Sequence, residues 1–145
     1  MTDFQIHETD WARDATRLST IRRVVFIEEQ GVPAALEWDE HDADALQLLA
    51  IQADGTPIGC ARLLPDGHIG RMAVLPAWRG CGVGRALLAA AIRAAQARGH
   101  ATLKLSAQTH AAGFYADAGF VAEGEAYEEA GIPHVAMQLN SHYKS

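Results

Sequence analysis

Apolar residues recur at helical spacing near the start of the chain. They stand three or four residues apart, at Ala15, Leu18, Ile21 and Val25. This is the spacing of one face of an α-helix. Gly31 and Pro33 follow, and glycine and proline are residues that end helices. We therefore predict a first helix over residues 14–30.

Three short apolar segments come next, each bounded by turn-forming residues. They cover residues 47–52, 57–64 and 68–75. Asp54-Gly55 separates the first two segments and Pro65-Asp66-Gly67 separates the second from the third. Both are sequences that favour tight turns between strands. The pattern predicts a meander of three antiparallel strands.

The second half of the chain alternates between helix and strand. Residues 85–98 are rich in alanine and leucine, and Gly99 follows them, which predicts a second helix with its natural end. The other predicted elements are a strand over residues 101–107, a short helix over 109–118 that ends before Gly119, and two closing strands over 120–123 and 134–140. A loop at 128–133 lies between the two closing strands. A strand–helix–strand connection across 85–98 requires a parallel pair. We therefore predict an α+β domain whose mixed, mostly antiparallel sheet is flanked by helices.

Composition is that of a single globular domain. The chain has 145 residues, of which 49% are hydrophobic and 21% are charged, enough for one hydrophobic core. Its longest apolar stretch, 86–92, is far shorter than the roughly 20 residues of a membrane span, and its first residues show no secretory signal. Two cysteines, Cys60 and Cys81, and seven histidines show no metal-like spacing. We expect one cytosolic domain over residues 1–145, without a metal.

Charge is unevenly distributed along the chain. The net charge of −6 argues against a nucleic-acid partner. Residues 58–104 nevertheless carry seven basic side chains and one acidic one: Arg62, Arg71, Arg79, Arg85, Arg93, Arg98, Lys104 and Asp66. Residues 28–44 carry seven acids and no lysine or arginine: Glu28, Glu29, Glu37, Asp39, Glu40, Asp42 and Asp44. This segregation predicts one surface for an anion and another for a cation; the alternative is solvated faces of uneven charge.

A glycine-rich segment, residues 79–85, lies between a predicted strand and a predicted helix. Glycines allow close approach of the backbone to a ligand, and the N–H groups at a helix N-terminus attract phosphate. Arg79 and Arg85 add charges suited to phosphate oxygens. A P-loop is excluded because no Lys-Ser/Thr ends the segment, and a dinucleotide fingerprint lacks its third glycine and later acid. The alternative is that the glycines only form a tight turn.

Two motifs in this order resemble one family. Arg79-x-x-Gly82-x-Gly84, after Met72-Ala-Val-Leu-Pro76, resembles the acetyl-CoA pyrophosphate loop of the GCN5-related N-acetyltransferases (GNAT). The segment from Gln108 to Phe120 is similar to that family's second signature, although the family usually has Asn where Gln108 stands. Residues 26–33 and 129–134 are similar to the bacterial ElaA-like subgroup. The resemblance covers residues 4–140.

The resemblance implies an enzyme that moves an acetyl group from acetyl-CoA directly to a primary amine. It implies a sheet that is splayed at the acetyl-CoA strand, where pantetheine pairs with the backbone. The cofactor-binding residues that it implies are Met72, Ala73, Val74, Arg79, Gly80, Cys81, Gly82, Val83, Gly84, Arg85, Gln108, Ala111 and Tyr115. In this family Cys81 fills a variable position of the loop, so we assign it no nucleophilic role.

Acetyl transfer also needs a proton donor for the thiolate and a base for the amine. Tyr115 matches the family position of the general acid; a tyrosine beside Phe114 on a short helix is alternatively a core residue. No motif identifies the base, and the candidates are Glu28, Glu29, Glu40, His110 and His134. Of these, Glu29 and His134 are taken with Tyr115 as the predicted catalytic residues. A backbone N–H near residues 72–74 would polarise the thioester carbonyl.

The acceptor is expected to be a small cationic amine. In this family the region of the seven acids borders the acceptor cleft, and an acidic rim attracts ammonium groups. Trp38 would add a cation–π contact, whereas the alternative is a solvated loop, and basic peptides remain open as acceptors. An acyl-CoA-binding module without turnover and a nucleotide-binding regulatory domain are the competing functions. No nucleic-acid or membrane partner is expected, and a homodimer is left open.

Overall fold

One seven-stranded β-sheet forms the centre of the computed structural model, which describes residues 3–140. The strands are β1 (Phe4–Thr9), β2 (Leu46–Gln52), β3 (Pro57–Leu63), β4 (His68–Val74), β5 (Thr102–Gln108), β6 (Val121–Glu129) and β7 (Ile132–Asn140). Their order in the sheet is β1-β2-β3-β4-β5-β7-β6. Every neighbouring pair is antiparallel except β4 and β5. The predicted mixed, mostly antiparallel sheet is confirmed.

The described residues contain four α-helices. They are α1 (Trp11–Arg22), α2 (Ala34–Glu37), α3 (Val83–Ala97) and α4 (Ala112–Ala116). Asp10 caps α1, because its side chain accepts a hydrogen bond from the backbone N–H of Arg13 at 2.8 Å. A π-helical segment, Arg23–Glu29, continues from α1. The first helix predicted over 14–30 therefore begins earlier, at Trp11, and changes its hydrogen-bonding pattern half-way.

Three elements differ from the sequence prediction. β1 was not expected, although Phe4 and Ile6 alternate with polar residues as strand residues do. The helical turn α2 was also not expected. The predicted loop at 128–133 is instead a tight hairpin, in which Glu129 pairs with Ile132 and β6 runs on past residue 123. The predicted single domain includes residues 1–2 and 141–145, which lie outside the described residues.

The parallel pair β4–β5 is very short. Only His68 pairs with Lys104 and Ile69 with Leu105, whereas β5 stays paired with β7 from Thr102 to Gln108. β4 therefore leaves β5 after Ile69. The result is the splay that was predicted, a V-shaped opening within the sheet.

A bulge shapes β4 at this opening. Against β3, Cys60 pairs with Ala73 and Arg62 pairs with Gly70, so Arg71 and Met72 together oppose one residue of β3. Arg71 has φ of 47°, a left-handed conformation that is uncommon for residues other than glycine.

Two layers of helix cover the sheet. On one face α3 packs its buried residues, such as Leu87 and Ala91, against Leu48 and Leu103. On the other face α1 packs Leu18 and Ile21 against the sheet. Gly59 of β3 lies where α3 approaches closely, because a Cβ there would be 3.1 Å from atoms of Leu87 and Val83. The opening between β4 and β5 thus lies between two fixed layers.

β6 is the last strand at one edge of the sheet. All nine of its residues are exposed, and its pairing with β7 shifts register between Glu123 and Tyr127. Gly124, within this irregular stretch, has φ of 74°.

Candidate active site

A cavity of about 960 Å³ occupies the opening between β4 and β5. Met72, Ala73 and Val74 of β4 line it. Tyr115 lines it from α4, and Phe26 lines it from the π-helical segment. The cavity is therefore in contact with both helical layers as well as with the free edge of β4.

The glycine-rich segment connects β4 to α3 at one end of this cavity. Gly80 and Gly82 have φ of 81° and 87°, conformations that glycine adopts without strain. A Cβ at either position would meet nothing within 4 Å, so this stretch faces open space. Gly82 is the N-cap of α3 and gives no side-chain cap, which leaves the first N–H groups of the helix available to an anion.

The predicted loop residues have different surroundings. Arg79 and Gly84 line the cavity. Arg85 is exposed, whereas the Val83 side chain is buried in the core. Cys81 is half-buried and packs against the same core. Of the predicted loop residues, Val83 can therefore contact a ligand only through its backbone atoms.

Tyr115 reaches the cavity from a cluster of aromatic rings. Its ring lies edge-on to Phe114 at 5.1 Å and to Phe120 at 6.3 Å between centroids. Its hydroxyl lies 3.9 Å from Sδ of Met72, on the free edge of β4. Burial raises the pKa of Tyr115 above its usual value, so the phenol holds its proton at neutral pH. The side chain is both part of the packing and a proton donor facing β4.

His134 lies at the start of β7 and also lines the cavity. Its Nδ1 is 2.7 Å from the carbonyl oxygen of Ile132. Because a carbonyl only accepts, Nδ1 carries the hydrogen, and Nε2 of the neutral ring keeps a lone pair. The Tyr127 ring lies nearly parallel to the imidazole, with 6.2 Å between the ring centroids.

Glu29 is differently placed. It forms a two-pronged ion pair with Arg79, at 2.6 and 2.7 Å, and Arg79 also donates to the carbonyl oxygen of Val74 at 3.0 Å. Hydrogen bonding from Arg79 lowers the pKa of the Glu29 carboxyl, which makes it a weaker base. A predicted base and a predicted phosphate ligand therefore neutralise each other.

The remaining candidates for the base and for cofactor binding differ in whether they line the cavity. His110 and Ala111 line the cavity, whereas Glu28 and Glu40 are absent from its lining. Gln108, at the end of β5, donates from Nε2 to Oε1 of Gln30 at 2.8 Å. This bond spans the opening between the sheet and the π-helical segment.

A family model for the acetyltransferase (GNAT) domain matches residues 14–141. This chain belongs to the GNAT acetyltransferase family. A Bacillus subtilis (strain 168) protein named as an acetyltransferase is 39% identical over 123 residues, which are 81% of this chain and 83% of that protein. The ElaA-like resemblance is confirmed, because the Escherichia coli protein ElaA is 32% identical over 128 residues, 83% of each chain.

Solved structures agree with this assignment. The crystal structure of an acyl-CoA N-acyltransferase from Pseudomonas aeruginosa matches with a TM-score of 0.83 at 33% identity, over 96% of this chain and 99% of that one. The crystal structure of Escherichia coli ElaA matches with a TM-score of 0.82 over the same shares. The protein is thus a GNAT enzyme, an acyl-CoA-dependent N-acyltransferase. Family membership favours acyl-CoA chemistry over a nucleotide-binding regulatory domain.

In this GNAT enzyme, two of the seven acids of the predicted rim, Glu37 and Asp42, are buried, and Asp39 is half-buried. The Arg22 guanidinium lies 2.8 Å from Glu37 and 2.7 Å from Asp42. Arg62 pairs with Asp39 at 2.8 Å and with Asp42 at 3.1 Å. Arg71 pairs with Glu37 at 3.2 Å and with Asp39 at 3.1 Å. We call these six residues the charge cluster.

The charge cluster corrects two expectations. Glu37, Asp39 and Asp42 do not form an open acidic rim, because internal arginines neutralise them. Arg62 and Arg71 likewise belong to this cluster and not to the phosphate loop. Trp38 stacks on Arg22 at 5.1 Å and on Arg23 at 5.7 Å, so its cation–π partners come from the chain itself. Counting the charged residues over 28–44 did not identify Arg22, the centre of the cluster, because Arg22 precedes that segment.

Two further findings concern the described residues alone. Between residues 3 and 140, no three His, Cys, Asp or Glu side chains are grouped so as to hold a metal ion. None of the helices in that range is both long enough and apolar enough to span a membrane.

Replacing Arg22 by Met is expected to destabilise the fold by about 3–5 kcal/mol, because the change leaves buried carboxylates without their partner. Arg13→Met is the matched control, since the Arg13 side chain is 71% exposed. Urea unfolding followed by circular dichroism measures both free energies. Equal stability of the two variants would show that the charge cluster does not hold this region together.

Proposed function

We propose that this GNAT enzyme transfers the acetyl group of acetyl-CoA directly to the nitrogen of a small primary amine. The observation that carries the proposal is the cavity between β4 and β5, which Tyr115 and His134 both line. The Tyr115 hydroxyl carries a proton, and Nε2 of a neutral His134 is the ring nitrogen that can accept one. Acetyl transfer to an amine uses both.

The cofactor side of the cavity fits coenzyme A. The pyrophosphate would bind at residues 79–85, where the uncapped N-terminus of α3 and the arginines favour an anion. The pantetheine amides would pair with the free edge of β4 at Met72, Ala73 and Val74, since a strand edge offers unpaired backbone groups. Gln108 and Ala111 line the opposite side. Phosphate oxygens would compete with Glu29 for Arg79.

Each bond change has a residue near it. His134 takes the proton from the attacking amine at Nε2, and the nitrogen bonds to the thioester carbonyl carbon. A backbone N–H of residues 72–74 stabilises the oxyanion that forms. The C–S bond then breaks, and Tyr115 protonates the departing thiolate. Its raised pKa keeps the proton available for this step.

The acceptor arrives as a small cationic amine in this proposal. With three of the predicted rim acids held in the charge cluster, Glu29 and Glu129 are the exposed carboxylates that still line the cavity. Glu129 accepts a hydrogen bond from Ser106 at 3.3 Å and lies on the same hairpin as His134. An ammonium group attracted there would release one proton to solvent before attack, and His134 takes the second proton as the C–N bond forms. A homodimer and a cytoplasmic location stay predictions.

Gly84→Asp tests the cofactor site. The new carboxylate would lie in the first turn of α3, where it suits the helix but repels phosphate. Affinity for acetyl-CoA, measured by calorimetry, is expected to fall roughly ten- to hundredfold, the value of a hydrogen bond to a charged group. Gly84→Ala controls for size, since its Cβ would be 3.5 Å from the Phe114 ring. Unchanged affinity in Gly84→Asp would refute the site.

Tyr115→Phe tests the general acid. The variant keeps the ring contacts with Phe114 and Phe120 and loses only the hydroxyl. We expect kcat to fall roughly 10²–10⁴-fold while the Kd for acetyl-CoA stays near that of the wild type. Tyr127→Phe makes the same change at a hydroxyl that bonds Ser106, and a much smaller effect is expected. A wild-type kcat in Tyr115→Phe rules the role out.

His134→Gln tests the base. The amide cannot take a proton from the amine, so kcat is expected to fall roughly 10²–10⁴-fold while the Kd for acetyl-CoA stays near that of the wild type. Glu29→Gln should change kcat much less, since its carboxylate is already paired with Arg79. Steady-state kinetics and calorimetry measure the two quantities. If Glu29→Gln and not His134→Gln loses activity, Glu29 is the base.

A further inference from the structure

We propose that the acceptor amine also carries a carboxylate, which binds to Arg71, with Arg62 behind it, in the part of the cavity beside α2. This proposal rests on the proposed function and adds the chemical class of its second substrate, an amino-carboxylate. It starts from two arginines that line the cavity but have no part in the transfer steps.

The backbone directs Arg71 towards the acceptor side. Its positive φ, in the bulge of β4, places the side chain on the face that Ala73 and Cys60 share with α1. There its guanidinium donates to the carbonyl oxygen of Glu37 at 3.0 Å. Arg71 is two residues from Ala73, roughly 6–7 Å along a strand. The arginine is therefore close to the predicted acetyl position but away from the phosphate loop.

The two guanidinium groups retain N–H donors that face no protein acceptor. Arg62 is 5% exposed, and its Nε is the buried side-chain donor in residues 3–140 that has no hydrogen-bond partner. Arg62 bonds Asp39 and Asp42 through Nη1. Arg71 bonds the charge cluster through Nε and Nη2. The donor that a ligand in the cavity can reach is Nη1 of Arg71, because the Arg71 side chain is 22% exposed. The Arg62 Nε is enclosed by protein, so Arg62 supplies positive charge behind Arg71.

A carboxylate fits this position better than other groups. Planar guanidinium groups match its two oxygens, and each oxygen accepts more than one hydrogen bond. The charge cluster holds three arginines and three acids and is formally neutral, so Glu37 and Asp39 repel a singly charged carboxylate less than a doubly charged phosphate. Burial lowers the pKa of Arg71, and a bound anion offsets that desolvation.

The remaining lining is consistent with a small amino-carboxylate. Val25, Leu36 and Leu64 line the cavity near the arginines and would contact an aliphatic spacer or side chain. Glu129 and His134 would receive the amino group at the other end. The acceptor is then a zwitterion, whose amine is cationic as proposed above.

Matched acceptor pairs test the proposal. The probes are L-leucine, β-alanine and 4-aminobutyrate, each with its carboxamide, and kcat/KM is measured from CoA release at saturating acetyl-CoA. For at least one pair, kcat/KM of the acid is expected to exceed that of its carboxamide roughly 10- to 100-fold, which is the value of hydrogen bonds to a charged group. Arg71→Gln should abolish this preference, because it lowers kcat/KM for the acids far more than for the carboxamides. Arg93→Gln, an exposed arginine on α3, should keep it.

Carboxamides that equal or exceed every acid would overturn the proposal, as would an Arg71→Gln effect that is the same for both members of each pair. If Arg71→Gln fails to fold by circular dichroism, Arg71→Lys decides, because it keeps the charge beside Glu37 and loses the planar group; the preference should then fall at least in part.

Failure of the transfer itself gives a different result. If no probe releases CoA, the same acids are titrated calorimetrically into enzyme saturated with CoA. Binding of an acid that Arg71→Gln removes supports the carboxylate site while the proposed reaction fails. Absence of binding by all three acids refutes the site.

Discussion

The departure of β4 from β5 after Ile69 is the constraint on which the structure depends. A strand in the middle of a sheet normally pairs on both sides, and unpaired backbone groups in a protein interior are costly. β4 keeps β3 as one partner and loses the other beyond two residue pairs. The fold separates these strands and holds them apart, and a cavity of substrate size lies between them.

Holding the strands apart requires rigid support on both faces. On one face α3 packs tightly against β3, with Gly59 allowing the close approach. On the other, the charge cluster connects α1, α2, β3 and β4 through charged side chains. An ionic support next to a cavity has a consequence that an apolar one lacks, since its outer donors remain available to a ligand. Under the carboxylate proposal, support and recognition come from the same arginines.

Local patterns predicted most of the fold and the strand–loop–helix order beside the cavity. The turn sequences around residues 54 and 66 indicated the meander, and the glycines between a strand and an alanine-rich helix indicated an anion loop. Ion pairs between residues that are far apart in the sequence could not be predicted from local patterns. Nothing in the run from Glu37 to Asp42 shows that Arg22 neutralises it, because 15 and 20 residues separate these partners.

The catalytic side shows the same limit. His134 and Glu29 were equal candidates in the sequence, and only three-dimensional contacts separate them: one is oriented by a carbonyl oxygen, the other is bound to Arg79. β1 was overlooked because its alternation is confined to Phe4 and Ile6, a pattern too short to indicate a strand by itself.

The exposed edge strand β6 bears on how copies of the protein meet. An unpaired strand edge invites another chain to extend the sheet, and charged side chains together with bulges are the usual protection. β6 carries four glutamates among its nine residues and an irregular register around Gly124. Two such edges brought side by side would oppose carboxylates along their length. Growth of the sheet from molecule to molecule is therefore disfavoured at this edge, and the acidic strand keeps the protein from polymerising through it.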